Sequence, residues 1–322
     1  MTIAPIIASF LTVLSPSRRL DVHATVVDEY DRPVVGAKVI LRTGQYMNLW
    51  TNGPAKKPIE DVATTDESGK TTASVKCYSG RFNVGASMDG YYSGGYSQLR
   101  VKTESDPGDP FSMRLLEHET NVTIRLRRKM NPIPMYAFRP VGHYFAIVQD
   151  GKEYAYDIKK RDFLPPDGKG ETADFFVMQH TVVSNGTATS SGVVRFRDGA
   201  GAYLMPQYEY SPLKSVYCAD TNAVFVSEIH FSKTFNPETN VEIQSKPIAG
   251  ESEYLVLRTR VKRDENGRIV SAHYSKIYGP FDIGRGLFGF KQSCFNPMPN
   301  DTNLEFDPNR NLVKRQLGKF QP

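Results

Sequence analysis

The chain has 322 residues, which is enough for one large domain or two ordinary domains with cores of their own. Its formal net charge at pH 7 is +5, and its 40 Lys and Arg residues are mostly scattered singly, whereas a nucleic-acid-binding protein gathers them on one face. Tyr, Phe, Gly and Pro are abundant, and no run of roughly twenty apolar residues could span a membrane. The composition argues against nucleic-acid binding and a transmembrane helix, and it favours a β-rich protein with many turns.

Residues 1–20 are either a signal segment or a first strand. Residues 3–14 form an apolar run about as long as the core of a signal peptide, but no Lys or Arg precedes it. Arg18 and Arg19 follow the run instead, and no small-x-small cleavage site lies before Pro16. The segment is a poor signal peptide, a signal peptide whose basic end is missing, or an ordinary strand.

Residues 21–126 contain short segments in which apolar residues alternate with polar ones, and turn residues separate these segments. Pro33 cannot donate a hydrogen bond to a neighbouring strand, so it belongs in a turn or at a sheet edge. Gly36 and Gly69 suit backbone angles that Ala or Val would resist. Residues 66–69 (Asp-Glu-Ser-Gly) predict a hairpin connection. Several short strands at this spacing indicate a β-sandwich.

Four stretches of this segment match a known sequence pattern. The pattern has four parts, V-x-D-x-x-G-x-P-V-x-G-A-x-V, T-D-x-x-G, G-x-Y-x-V and G-Y. Most of their positions are met, in this order, by residues 26–39, 65–69, 80–84 and 90–91. On these residues the segment resembles the carboxypeptidase regulatory-like domain, a seven-stranded transthyretin-like β-sandwich.

The chain departs from that pattern at three places. Asp31 and Arg32 stand where a Gly usually precedes the Pro, Phe82 replaces the Tyr, and a long insertion separates Leu41 from Val62. The resemblance implies a rigid accessory or adhesive module that is usually exported, and the family pattern contains no catalytic residue to transfer. We therefore expect a secreted, periplasmic or cell-surface protein.

The end of this module is predicted near Met130. Residues 121–126 are typical of a last strand, and residues 131–134 (Asn-Pro-Ile-Pro) are typical of a stiff connector. The predicted segments are residues 1–20, a β-sandwich at 21–130 and a second β-rich domain at 131–322.

Two hairpins with defined register are predicted in the second domain, one at an Asp-Gly turn and one at an Asn-Gly turn. The Asp-Gly turn places Phe145 opposite Tyr156. The Asn-Gly turn places Thr259 opposite Tyr274. No long amphipathic helix occurs, so both domains are predicted to be all-β.

Three stretches of the second domain also resemble a β-rich domain of exported bacterial proteins. They are residues 131–137, 276–279 and 296–306. The resemblance carries no assigned activity, and it supports only the domain boundary and the expectation of export.

The common motifs of metal and nucleophilic catalysis do not occur in the chain. None of the six His residues lies in an H-E-x-x-H motif, and no G-x-S-x-G nucleophile elbow is present. Cys218 and Cys294 could form one bridge in an oxidising compartment; alternatively these two and Cys77 are buried small residues. We expect no cofactor, and the oligomeric state stays open.

An acidic loop in the second domain offers carboxylates for catalysis. Asp162, Asp167 and Asp174, with His180, are the candidates, because paired carboxylates hydrolyse glycosides. Lys and Arg residues are interleaved with them, which favours a solvated loop of mixed charge.

A second acidic stretch offers oxygen atoms at alternate positions, as a calcium loop does. The weak candidates for a metal site are Asp301, Asn303, Glu305 and Asp307. The central Gly of an EF-hand is missing, so the other interpretation is a strand with a polar outer face that ends in an Asp-Pro turn.

Aromatic side chains are the candidates for ligand contact. Tyr91, Tyr92 and Tyr96 flank residues 94–95 (Gly-Gly) on a predicted loop, and Trp50 lies in the long insertion. Exposed aromatic rings on a rigid sandwich offer a large contact area at low entropic cost. The alternative is that these rings pack into the core.

The sequence favours an exported, non-catalytic protein of the bacterial cell envelope, with a binding or structural role and a glycan or another protein as its partner. The alternative is a hydrolase of glycans or peptides whose carboxylates lie in the second domain. An enzyme of that kind needs carboxylates that converge in a concave pocket. A binding protein needs exposed aromatic rings on a rigid rim and no such pocket.

Overall fold

The computed structural model describes residues 19–43, 59–77, 80–106, 109–139, 145–147, 150–207, 215–284 and 286–313. These residues form two compact units, of which the first ends at Lys129 and the second begins at Met130. Strands dominate both units, and the predicted all-β class is confirmed. Within the described ranges, no helix is both long enough and apolar enough to cross a membrane.

Seven strands of the first unit lie in two sheets, a three-stranded sheet in the order β10-β1-β4 and a four-stranded sheet in the order β3-β2-β5-β7. Two short pairs, β6 with β11 and β8 with β9, accompany them. The strands of the described part of this unit are β1 (Arg19–Val27), β2 (Lys38–Thr43), β3 (Ile59–Thr64), β4 (Lys70–Lys76), β5 (Arg81–Ser87), β6 (Tyr91–Tyr92), β7 (Gly94–Arg100), β8 (Thr103–Asp106), β9 (Asp109–Leu115), β10 (Glu119–Arg125) and β11 (Arg127–Arg128).

Alternating burial explains why these segments form strands. In β1, Leu20, Val22, Ala24 and Val26 are buried, and the residues between them are partly exposed. Successive side chains of a strand point to opposite faces, so one face of β1 enters the core. The buried faces of both sheets share one hydrophobic cluster, which makes the unit a β-sandwich.

The second unit is built on two larger sheets. One is six-stranded in the order β12-β23-β22-β21-β18, with β13 also paired to β23, and the other is six-stranded in the order β15-β14-β16-β17-β19-β20. The described elements of this unit are β12 (Tyr136–Phe138), β13 (Phe145–Ala146), β14 (Glu153–Asp157), β15 (Asp162–Phe163), β16 (Phe175–Ser184), β17 (Thr187–Arg195), β18 (Gly201–Pro206), β19 (Glu228–Phe235), β20 (Glu242–Lys246), β21 (Glu253–Arg263), β22 (Ile269–Gly284), β23 (Leu287–Phe295) and a short 3₁₀ helix (Pro308–Arg310).

An aromatic core lies between these two sheets. Tyr156 stacks on Phe175 with ring centroids 5.1 Å apart, and it meets Phe288 edge to face at 5.1 Å. The opposite face of the sheet that contains β22 is covered as well, by Ala219 and Leu304 among others. Because both faces are covered, β22 is buried almost continuously from Tyr274 to Gly279, polar residues such as Ser275 and Lys276 included.

The hairpin predicted at the Asp-Gly turn is wrong. Phe145 pairs with Phe288 of β23, and Tyr156 pairs with Phe175 of β16. The rings of Phe145 and Tyr156 do meet, with centroids 5.3 Å apart, but they meet through packing of the two sheets. The aromatic pattern therefore predicted a contact in the core and missed the strand partners.

The register predicted for the hairpin at the Asn-Gly turn holds at Lys262, which faces Ser271, and is wrong by one residue at Thr259. The connection has three residues, because the N–H of Asp264 donates to the carbonyl of Arg268 at 2.9 Å. The register also shifts between Thr259 and Lys262. As a result, Thr259 faces His273 instead of Tyr274.

All three cysteines are free thiols, so the bridge considered between Cys218 and Cys294 does not form. Cys77 and Cys294 are buried, as the alternative interpretation predicted, whereas Cys218 is exposed. Burial raises the pKa of the Cys294 thiol, because the thiolate would be poorly solvated there.

Candidate functional site

A groove of about 460 Å³ crosses the outer face of the four-stranded sheet of the first unit. Its floor is backbone, because Gly85 of β5 pairs with Gly95 of β7 and neither residue carries a side chain. Gly94 also lines the groove. Strands β2, β5 and β7 supply its walls, so the site stands on regular elements of the sandwich.

Only glycine fits at two positions of this floor. Gly95 has a φ of +152°, and a Cβ there would lie 2.4 Å from the carbonyl oxygen of Val84. A Cβ at Gly94 would lie 2.6 Å from the carbonyl oxygen of Arg125. Both distances are shorter than any real contact of a side chain with backbone, so the glycines allow the close approach of β7 to its neighbours.

Polar side chains and one apolar side chain line the groove above this floor. Arg42 lines it while its Nε donates to Oε2 of Glu60 at 2.8 Å. The Oδ1 of Asn83 accepts the N–H of Gln98 at 2.7 Å. Among the described residues, the side-chain nitrogen of Asn83 has no hydrogen-bond partner, so its N–H groups remain for a ligand. Ile40 is partly exposed and offers an apolar contact.

The predicted aromatic residues occupy different positions. Tyr96 lines the groove, and its hydroxyl donates to the carbonyl of Thr123 at 2.8 Å. Tyr91 is partly buried, with the guanidinium of Arg128 over its ring at 5.6 Å. Tyr92 is only 6% exposed and packs in the unit. Trp50 lies outside the described residues.

The segment that contains Gly94 and Gly95 was predicted to be a loop, and it is strand β7. Sequence analysis therefore missed Arg42, Asn83 and Gly85 as groove residues. A glycine pair followed by alternating residues was the available signal, because glycines in a strand mark a close approach of backbones or of a ligand.

The structure gives each of the predicted catalytic residues its own structural partner. The carboxylate of Asp162 accepts the N–H of Lys169 at 2.9 Å, and Asp167 forms an ion pair with Lys152 at 2.6 Å. The Nδ1 of His180 lies 2.5 Å from Oδ2 of Asp150.

Asp174 directly precedes β16 and belongs to a buried ion cluster. Arg260 donates from Nε to Oδ1 of Asp174 and from Nη2 to Oδ1 of Asp157, both at 2.9 Å. Asp157 is 1% exposed and Asp174 is 3% exposed. The guanidinium also lies 4.6 Å from the ring centroid of Phe295. Asp174 and His180 are six positions apart along extended chain, which is roughly 20 Å, so these two candidates do not share a site.

The pKa values in this cluster follow from its contacts. Burial would raise the pKa of Asp157, but the N–H groups of Glu171, Lys160 and Thr172 and the charge of Arg260 lower it below its ordinary value. An ionised carboxylate with several fixed donors stabilises its loop.

The oxygen atoms of the second acidic stretch bind backbone N–H groups. Asp301 accepts from the N–H of Asn303 at 2.9 Å, and Asn303 accepts from the N–H of Glu305 at 2.7 Å. The two carboxylate oxygens of Glu305 accept from Met130 and Asn131 at 3.0 and 2.6 Å. Among the described residues, no three His, Cys, Asp or Glu side chains are grouped so that they could hold a metal ion.

Asp307 caps the short 3₁₀ helix, since it accepts the N–H of Asn309 at 2.9 Å. The four residues thus form a chain of local turns that joins the segment to the start of the second unit. A calcium role for them stays a prediction.

No family model and no curated protein matches the chain. Among solved structures, the chain is similar to 3-chlorocatechol 1,2-dioxygenase from Rhodococcus opacus at 14% identity and a TM-score of 0.26, over 36% of this chain and 62% of that chain. It is also similar to a variant of catechol 1,2-dioxygenase from Acinetobacter radioresistens at 12% identity and a TM-score of 0.25, over 35% of this chain and 53% of that chain.

A streptococcal ancillary pilin is similar at 9% identity and a TM-score of 0.22, over 93% of this chain and 64% of that chain. The chain therefore spans less than two thirds of the length of each of these three proteins. Similarity at these TM-scores carries no argument about the fold or the function of the chain.

Proposed function

We propose that the protein is an exported, non-catalytic binding protein of the bacterial cell envelope and that its first unit binds a glycan along the groove. The observation that carries the proposal is the glycine floor between β5 and β7, with Arg42 and Asn83 beside it. A bare backbone floor admits a flat sugar chain, the polar groups beside it supply donors and acceptors, and the largely apolar rest of the lining, with Ile40 and Tyr96, can contact the C–H faces of sugar rings.

The polar side chains of the groove support a glycan as its ligand. Ser87, Ser93 and Ser97 line it together with Arg42 and Asn83, and such groups suit sugar hydroxyls. Protein interfaces instead rely on buried aromatic and apolar anchors at their centre. Another protein remains the second partner class, and the experiment below separates the two.

Export is supported by the resemblance of the first unit to carboxypeptidase regulatory-like modules, which are usually exported. A non-catalytic role is supported by the carboxylates of the second unit, because Asp162, Asp174 and Glu305 are engaged by N–H groups of the protein itself. A hydrolase with these carboxylates stays an alternative prediction.

A glycan-array screen of the full chain, with and without EDTA, tests the proposal. The key variant is Arg42→Ala, which removes a groove side chain that is about half exposed. Lys38→Ala is the matched control, because Lys38 lies on the same face of β2 and outside the groove. A Trp50→Ala variant tests the insertion in the same screen.

We expect saturable binding that survives EDTA. Arg42→Ala should weaken this binding about tenfold, because it removes a charge-assisted hydrogen bond to the ligand. Lys38→Ala should leave the binding unchanged. Binding that only Trp50→Ala weakens would move the site to the insertion. Binding lost with EDTA would move it to the segment around Asp301 and Asp307. The absence of glycan binding would reject the glycan and leave a protein partner.

A further inference from the structure

A pocket of about 420 Å³ lies in the second unit, on the outer face of the six-stranded sheet that contains β16, β17, β19 and β20. Phe231 of β19 enters the aromatic core, and successive side chains of a strand point to opposite faces. His230 and Ser232, which flank Phe231, therefore point outward and line the pocket. Ser191 and Lys246 are exposed there, so a ligand can reach the pocket from solvent.

The floor of this pocket depends on one glycine. Gly192 of β17 lines the pocket, and a Cβ at this position would overlap the carbonyl oxygen of Met178 on β16. Only glycine fits there, because the two strands approach each other closely beneath the pocket. Met178 itself is partly exposed and offers the pocket an apolar contact.

Three polar side chains form a row across the pocket. Ser191 of β17 pairs with Ser232 of β19, and Ser232 pairs with Lys246 of β20. Register partners on neighbouring strands lie on the same face of a sheet, roughly 5 Å apart. The row therefore brings two hydroxyl groups next to one ammonium group, and no hydrogen-bond partner of either hydroxyl lies among the described residues.

Lys246 carries the positive charge that the described residues leave without a counter-ion. Arg195 also lines the pocket, but its guanidinium donates to Glu228 at 2.6 Å and to Glu153 at 3.2 Å. Glu228 lies four residues along β19 from Ser232, which is roughly 13 Å. Its carboxylate, which Arg195 holds, therefore does not neutralise Lys246, and an anionic ligand can do so.

From this arrangement we infer that the pocket binds an acidic sugar, a pyranose ring that bears one carboxylate. Lys246 donates to one carboxylate oxygen and Ser232 to the other, which makes both hydrogen bonds charge-assisted. Ser191 and His230 contact ring hydroxyls, and Met178 contacts the C–H face of the ring. The site lies in the second unit, so it does not rest on the glycan groove proposed for the first unit.

The lining favours a carboxylate on a sugar over other anions. One ammonium group without a counter-ion matches a monoanion, whereas a phosphate ester would bring a second negative charge. A carboxylate oxygen is a stronger hydrogen-bond acceptor than an oxygen of a sulfate ester, which suits the hydroxyl donors of the row. A sugar ring has hydroxyls at its edge and C–H groups on its face, so it engages His230 and Met178 as well.

Isothermal titration of the full chain with cellobiouronate, a disaccharide with one carboxylate, tests this inference. The comparison ligands are cellobiose, which is its uncharged counterpart, cellobiose monosulfate, and tetraglutamate, which offers carboxylates without a sugar. The variants are Lys246→Gln and Ser191→Glu, both at exposed positions of the sheet. Lys262→Gln is the matched control, because Lys262 is also exposed and lies outside the pocket.

We expect the unaltered chain to bind cellobiouronate about tenfold or more tightly than cellobiose, because the carboxylate gains a charge-assisted hydrogen bond from Lys246. Lys246→Gln should remove this preference. Ser191→Glu should remove it too, since it places a carboxylate of the protein next to Lys246. Lys262→Gln should retain the full preference. All variants should melt at the temperature of the unaltered chain, because the replaced side chains are exposed.

Three results would overturn the inference. They are no saturable binding of cellobiouronate, a preference over cellobiose that Lys246→Gln retains, and tighter binding of the monosulfate or of tetraglutamate than of cellobiouronate. A preference that Arg42→Ala removes and Lys246→Gln does not would belong to the groove of the first unit. That result would overturn this inference while it supports the function proposed for the groove.

Discussion

At the scale of single residues, one type of turn occurs three times among the described residues, and an aspartate starts each copy. The first residues are Asp28, Asp66 and Asp264, and each accepts on its Oδ1 the N–H groups two and four positions later. The fourth residue of each turn takes a positive φ, which is +60° at Asp31, +73° at Gly69 and +76° at Gly267. The turn thus needs an aspartate first and a residue that tolerates the left-handed region fourth.

Gly69→Ala should destabilise the first unit more than Gly90→Ala does. Both residues have a positive φ, but a Cβ at Gly69 would lie 2.6 Å from the carbonyl oxygen of Val26, and at Gly90 it would meet nothing within 4 Å. The left-handed backbone alone costs about 1 kcal/mol, and the clash adds about 2 kcal/mol. Urea unfolding of both variants measures the difference, and equal losses would show that the backbone at Gly69 yields freely.

At the scale of elements, a β-bulge in β21 makes the ion cluster of the second unit. Thr259 pairs with His273 and Lys262 pairs with Ser271, so Arg260 and Val261 together oppose one residue, Ala272. Arg260 has a φ of +51° there. A bulge turns a side chain away from the regular alternation, and this one directs the guanidinium to two buried aspartates.

Replacing Arg260 by Met should cost about 3–5 kcal/mol, because it leaves Asp157 and Asp174 buried without their cation. The control is Arg195→Met. Arg195 also contacts two carboxylates, those of Glu153 and Glu228, but its own side chain is 35% exposed. That change should cost about 1 kcal/mol or less. Chemical denaturation, monitored by tyrosine fluorescence, measures the free energy of unfolding of both variants. Similar losses of unfolding free energy would show that Arg260 stabilises the fold no more than Arg195 does.

At the scale of the whole molecule, both units keep buried carboxylates ionised with donors of their own. In the first unit, burial would raise the pKa of Asp28, but the side chain of Arg32 and the N–H groups of Tyr30 and Arg32 lower it below its ordinary value. Asp157 has a lowered pKa for similar reasons in the second unit. A carboxyl whose pKa is lower in the folded state stabilises the fold above its unfolded pKa, and this contribution is lost as the pH falls through the folded pKa.

The stability of the chain should therefore be nearly constant above about pH 5 and should fall below about pH 4. Asp157→Asn should cost about 3 kcal/mol at neutral pH, because its amide cannot replace the carboxylate beside Arg260. That difference should shrink as the pH falls, since the unaltered aspartate is then protonated too. Thermal melts across the acid range test this, with the exposed Glu238→Gln as control. A difference that is the same at neutral and at acid pH would refute the electrostatic explanation.

The groove illustrates how far sequence reasoning reached at the candidate site. Tyr96 was a predicted contact residue and does line the groove. Arg42 and Asn83 carry no local signal, because they are ordinary polar residues on the outer face of strands. They become neighbours only when β2 and β5 pair, which places Arg42 opposite Asn83. Residue type alone therefore could not select them.

Alternation of apolar and polar residues and the positions of Gly and Pro are local properties, so the sequence by itself determined the all-β class and the turn at residues 66–69. Strand partners depend on surfaces that are far apart in the chain, and the burial of those surfaces selects among many pairings with similar local patterns. Only the tertiary structure could decide that Phe145 pairs with β23 and that a bulge directs Arg260 to two buried aspartates.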